Sequence, residues 1–76
     1  MKTKQDVITN FKHYGLITIP KGTRLTNQTA IGIDKKYHFV ADFSWIKTSY
    51  PTIASILLHD ATYYGIDIPK EFVEYN

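Results

Sequence analysis

The chain has no cysteine. No disulfide can staple it and no thiolate can act as nucleophile or soft metal ligand, and the absence fits a reducing compartment. Its glycines, at positions 15, 22, 32 and 65, stand alone, so no glycine-rich loop is available to cradle a phosphate. No run approaches the roughly 18 apolar residues of a membrane span. Residues 1–7 lack the apolar stretch of a secretory signal. These absences lead to the expectation of a cytoplasmic protein that does not associate with membranes. Arginine is nearly missing too: Arg24 stands against eight lysines. With abundant Ile, Tyr and Thr, that bias looks like AT-rich coding, as in a low-GC bacterium or one of its phages or plasmids.

What remains is enough for one small domain. At 76 residues there is no room for a second core, and a chain of this size buries only about 60–65% of the surface its unfolded form exposes. An apolar content of 43% is far from that of disordered chains. The charge is unevenly placed. Residues 1–24 carry Lys2, Lys4, Lys12, Lys21 and Arg24 against Asp6, a net +4, while residues 25–76 carry four lysines against six carboxylates, a net −2. Nucleic-acid binders gather denser basic patches than this, so the cluster is read first as a solvated face.

In chain order, residues 3–14 read as a helix. Thr3 stands as its cap, Asp6 sits near the positive helix end, and Val7, Ile8, Phe11 and Tyr14 fall at helical spacing before Gly15 stops it. Residues 16–19 follow as a strand ended by Pro20, with Lys21-Gly22 as a turn whose first dihedral Pro20 sets. Residues 23–26 offer an edge strand and Asn27-Gln28 a break. Residues 29–33 and 37–43 form a hairpin about Asp34-Lys35-Lys36. In its second strand Tyr37, Phe39, Ala41 and Phe43 share the expected core face, with His38, Val40 and Asp42 opposite. Gly32 marks a bulge or a packed ring.

Residues 44–50, with Trp45 and Ile46 over a core edge, lead to a second helix at about residues 51–64, capped by Ser49 and stopped by Gly65. Ile66-Asp67-Ile68 is a short extended piece, and Pro69 opens a last turn anchored by Phe72. The run from His13 to Lys21 echoes the run from Tyr63 to Lys70. The segments between them do not match, so the echo reads as shared capping grammar rather than duplication.

The second helix organises the chain and carries its one misplaced carboxylate. At about 100° per residue, Ile53, Ile56, Leu57, Ala61 and Tyr64 spread over a wide apolar arc. Asp60 falls inside that arc, between Ile56 and Ile53, and His59 falls opposite. An unpaired buried carboxylate is strongly disfavoured or takes up a proton. Backbone N–H groups of residues 20–26, hydroxyls of Tyr or Thr, and the lone Arg24 are its candidate partners. The guanidinium is the one best shaped for a carboxylate, so Asp60 and Arg24 are expected as a buried structural pair. His59-Asp60 does not read as a metal site, because His13 and His38 are the only other histidines and no i, i+4 pair exists. No nucleophile, base and orienting residue can be placed together. No metal and no cofactor are expected.

The expected fold is a small α+β domain in the order α-β-β-β-α, with an antiparallel sheet of three or four strands covered on one face by two helices. The expected function is that of a non-enzymatic binding protein, an accessory factor of a phage or mobile element. It would act by contact with a protein partner or by self-association through Trp45, Tyr50, His59 and Tyr63, since aromatics dominate protein interfaces. Weak nucleic-acid binding through the basic N-terminal residues is the second reading, and a small enzyme centred on Asp60 and His59 is the third.

Overall fold

The first expected helix is instead a strand and half a hairpin. The computed structural model describes residues 1–29 and 37–75. In it Lys2–Thr3 is a short strand (β1), Val7–Asn10 a second (β2), and Lys12–Tyr14 a single 3-10 turn. β2 pairs antiparallel with Leu16–Ile19 (β3), from Val7 opposite Ile19 to Asn10 opposite Leu16. The spacing of Val7, Phe11 and Tyr14 fits a helix, but Val7, Thr9 and Phe11 also fit a period of two. Val7-Ile8-Thr9 is a β-branched run, which loses rotamer freedom in a helix and packs well on a pleated surface. Pairing with β3 then buries Val7, Phe11, Ile17 and Ile19 together. Lys12 at φ 52° and Gly15 at φ 76° reverse the chain between the strands.

Thr3 and Asp6, expected at a helix start, hold a turn instead. Thr3 is fully buried. Its hydroxyl donates to the Pro20 carbonyl (2.8 Å) and accepts the Thr23 N–H (3.0 Å), while Asp6 accepts the Lys21 N–H (2.7 Å). The strand at 16–19 and the turn at Lys21-Gly22 are as expected, but Pro20 precedes the turn rather than forming its first corner. The Thr23 N–H reaches the Pro20 carbonyl (3.2 Å), so Lys21 and Gly22 are the central residues and Gly22 takes the positive φ, 87°.

Leu25–Thr29 (β4), Tyr37–Val40 (β5) and Asp67–Pro69 (β6) form a three-stranded antiparallel sheet in the order β4-β5-β6. The expected edge strand thus starts later and runs through Asn27-Gln28, where the expected break takes the form of a register shift between Leu25 and Thr29. Residues 30–33, the turn at 34–36 and the role of Gly32 lie outside the described residues. The core face of β5 is the reverse of the one expected. His38 and Val40 are buried, and Phe39 is only half-buried. β6 decides this parity, because it sets the fully buried Ile68 opposite His38 and the exposed Asp67 opposite Phe39. His38 is tolerated inside because its Nδ1 lies 2.9 Å from the Thr26 carbonyl, which places the proton on Nδ1.

Trp45–Ser49 forms a short helix (α1) and Ala54–Tyr64 a longer one (α2). Ser49 therefore closes α1 rather than capping α2, whose cap position is Ile53. Gly65 does stop α2, at φ 77° with its N–H on the Ala61 carbonyl (2.9 Å). Gly15 and Gly65 have nearly the same φ and each leads into an extended piece, so the echo between their surroundings is a shared way of leaving a turn. After a 3-10 turn at Lys70–Phe72, Val73–Glu74 (β7) pairs antiparallel with β1.

The protein is therefore α+β, with two helices and antiparallel sheets of two and three strands among the described residues. The α-β-β-β-α order is not observed, because the helices are consecutive and the N-terminal region is extended. Ile19, Ile46, Leu57, Ala61 and Ile68 are fully buried, so hairpin, both helices and the three-stranded sheet meet in one core. Among the described residues no helix is long and apolar enough to cross a membrane.

Candidate functional site

Leu57 and Ala61 are fully buried and Ile53 and Ala54 half-buried, so the inward face of α2 centres on Leu57 and Ala61. Ile56 is 60% exposed. The buried arc is thus rotated from the one expected, and Asp60 lies at its margin. There it meets the tip of the β2–β3 hairpin: the Tyr14 hydroxyl donates to Asp60 Oδ2 at 2.5 Å, the short distance typical of O–H to carboxylate bonds. That bond, with burial and the carboxylate's charge, pushes the Tyr14 phenol up to about 12. Beside it the Lys12 ammonium lies 3.6 Å over the Tyr64 ring, a cation–π contact that also joins hairpin to helix.

The carboxylate's partner is therefore Tyr14 and not Arg24. Arg24 is exposed and bridges Lys2 across β1. Its nearest electrostatic role is at Asp42, whose carboxyl is held below its ordinary value first by the Ser44 backbone N–H and hydroxyl and then by the Arg24 charge. A tyrosine hydroxyl was among the expected partner types, but Tyr14 itself was placed on an apolar stripe, because the pairing spans 46 positions of sequence.

The four aromatic residues expected on one surface separate into two pairs. Trp45 is buried, donates from Nε1 to the Asp42 carbonyl (2.8 Å), and meets Tyr50 edge to face. The Tyr50 hydroxyl in turn accepts the Thr18 N–H (2.9 Å). This pair anchors α1 and the following turn to β3. His59 and Tyr63, one helical turn apart on the outward face of α2, stack with ring centres 6.4 Å apart at 17°. Tyr63 is 76% exposed, and its ring meets that of Tyr64 edge-on at 4.9 Å. Ser55, Leu58, His59, Thr62 and Tyr63 line an open depression on this face, with no lysine, arginine or carboxylate among them. Leu58 and Tyr64, both exposed, were not singled out by sequence because an apolar residue on a helix is read as core by default.

Lys2, Lys4, Lys12, Lys21 and Arg24 are all exposed. Lys2 lies between Arg24 and Glu74 across its two pairings, so that its positive neighbour is offset by a negative one. Among the described residues no three His, Asp or Glu side chains gather closely enough to hold a metal ion. His13 stacks on Tyr14 at 4.3 Å, His38 is committed to the Thr26 carbonyl, and His59 stacks on Tyr63. Compared with known proteins, the chain matches no family model, no curated protein and no solved structure.

Proposed function

We propose that this protein works by contact rather than by chemistry, as a binding module whose contact surface is the outward face of α2. The observation that carries this reading is the Tyr63 ring, 76% exposed and stacked on His59 beside Leu58. Tyrosine supplies large contact area for little conformational entropy, and clustered exposed apolar groups on a small protein mark interaction sites more often than scattered ones do. The depression is lined by hydroxyl, imidazole and apolar groups with no fixed charge, which favours a protein surface of similar character over a phosphate backbone.

The test is a photo-crosslinking residue placed at position 63, and for comparison at Lys47, which is exposed on α1. In the protein's own cells, position 63 is expected to yield a defined protein adduct that Lys47 does not. Leu58→Ser with His59→Ala should remove that adduct at only a small loss of melting temperature, since His59 is exposed and Leu58 is 36% exposed. Identical labelling from positions 63 and 47, or an adduct indifferent to the double substitution, would refute the assignment.

A further inference from the structure

The two edges of the β2–β3 hairpin are finished differently. The Phe11 N–H bonds the Gly15 carbonyl (2.9 Å), and hydrogen-bonded and non-bonded pairs alternate along an antiparallel ladder. Thr9–Ile17 and Val7–Ile19 are therefore the bonded pairs, and Asn10–Leu16 and Ile8–Thr18 the non-bonded ones. It follows that the N–H and C=O groups of Leu16 and Thr18 point away from β2, and those of Ile8 and Asn10 away from β3.

The β3 edge is closed. The Thr18 N–H is taken by the Tyr50 hydroxyl (2.9 Å), and the next outward position is Pro20, which has no N–H. The β2 edge is open. Among the described residues no group accepts or donates to the outward backbone atoms of Ile8 and Asn10. The Ile8 side chain above that edge is 67% exposed. Natural proteins ordinarily protect such an edge with proline, an inward charge or a bulge, and β2 carries none of these between Val7 and Asn10.

We propose that the β2 edge pairs with β2 of a second copy of this chain, antiparallel about a two-fold axis at Thr9, joining two hairpins into one four-stranded sheet. Self-pairing about Thr9 sets Ile8 against Asn10 of the second copy, so the outward N–H and C=O groups of both residues are all satisfied. It also brings Asp6, just before β2, toward Lys12 at the start of the turn that follows β2 in the second copy, twice by symmetry. Centring on Ile8 would put Lys4 against Lys12, and centring on Asn10 would put Ile8 against Lys12. Opposite charges flanking the paired strands favour association and like charges oppose it, so charge favours the Thr9 register. In that register the two exposed Ile8 side chains become diagonal neighbours on one face. The paired segment is short, which makes this a weak dimer formed in the micromolar to millimolar range.

The experiment is amide exchange by NMR together with sedimentation across that range. The Ile8 and Asn10 amides are expected to gain protection in step with dimer formation, while Thr18, already bonded to Tyr50, stays unchanged. Lys12→Glu sets like charges together and should weaken association by roughly tenfold, and adding Asp6→Lys should recover it. Because Lys12 also touches Tyr64 and Asp6 holds the Lys21 amide, a further variant is needed that alters only an exposed side chain. Ile8→Lys meets that need and should weaken the dimer while leaving the melting temperature of the monomer unchanged. A monomer at every concentration would overturn the proposal, as would a dimer in which the Ile8 and Asn10 amides exchange as in the monomer. The second outcome is the one expected if copies meet through α2 instead, so the two surfaces are tested separately.

Discussion

Residues 3–14 and residues 53–64 are stretches of equal length with similar apolar spacing, and they fold differently. The first becomes β2 and a tight turn, and the second becomes α2. The first has Val7-Ile8-Thr9 at its centre and a complementary strand a few residues downstream. The second has Ala54, Leu57, Leu58 and Ala61, which are strong helix formers. Spacing nominates a helix in both places, and side-chain branching together with a nearby pairing partner decides between them. The two stretches then end clasped, with Tyr14 on Asp60 and Lys12 on Tyr64.

The sharpest way to break this comparison is to test the phase of α2. Leu57 is fully buried and Ile56 is 60% exposed, although both fall within the apolar arc drawn from the sequence. Leu57→Ala is expected to lose about 2–5 kcal/mol, enough to leave a domain of this size partly unfolded. Ile56→Ala should stay within about 0.5 kcal/mol of the parent. Denaturant titration of the two variants measures both, and equal losses would return the helix to the phase that the apolar arc alone implies.

A parity test does the same for β2. The Thr9 N–H points into the hairpin toward the buried Ile17, and the Ile8 N–H points out. Proline at position 9 removes a ladder bond and leaves a buried carbonyl unpaired, whereas proline at position 8 removes a donor that has no partner in the monomer. Thr9→Pro is therefore expected to be less stable than Ile8→Pro by about 1–3 kcal/mol, a difference in which the strain common to both prolines cancels. In a helix over residues 3–14 both positions would be interior and the two variants would fail alike. Thermal melts of the pair suffice to decide.

What could be read from the sequence was local, and what could not was set by distant partners. Gly65 was legible as a helix stop because a positive φ favours glycine wherever the chain goes next. Gly15 has nearly the same positive φ but turns a hairpin rather than ending the expected helix. Leu16–Ile19 was legible because a short apolar run between a glycine and a proline has few alternatives. Three features were not. β2 has a pattern that satisfies both periods, the core face of β5 is imposed by Ile68 and Asp67 on β6, and Asp60 finds a tyrosine 46 positions earlier in the sequence. The candidate surface divides in the same way. The outward placement of His59 follows from the helix itself, while the burial of Trp45 and the use of the Tyr50 hydroxyl depend on Asp42 and Thr18 in other elements.

The clasp between the two stretches gives the smallest effect and the most specific one. Tyr14→Phe and Asp60→Ala should each lower the melting temperature by several degrees, and the double variant by little more than the larger single change, because both remove the same bond. Arg24→Ala should leave the melting temperature nearly unchanged, since that side chain is exposed and the Arg24 pairing with Lys2 is made by the backbone. The clasp also has a pH signature. The folded protein raises the Tyr14 phenol from 10.0 to about 12, so between those values it holds a proton that the unfolded chain has released. The stabilising contribution is accordingly complete below the unfolded value and is lost as pH rises through the folded one. The informative quantity is the difference in melting temperature between parent and Tyr14→Phe, which isolates the contribution of this one hydroxyl. That difference should be constant through neutral pH and shrink above 10. A gap that stays constant to the highest pH measured would mean that Tyr14 supports the helix by packing alone and that the Asp60 carboxylate is held by something else.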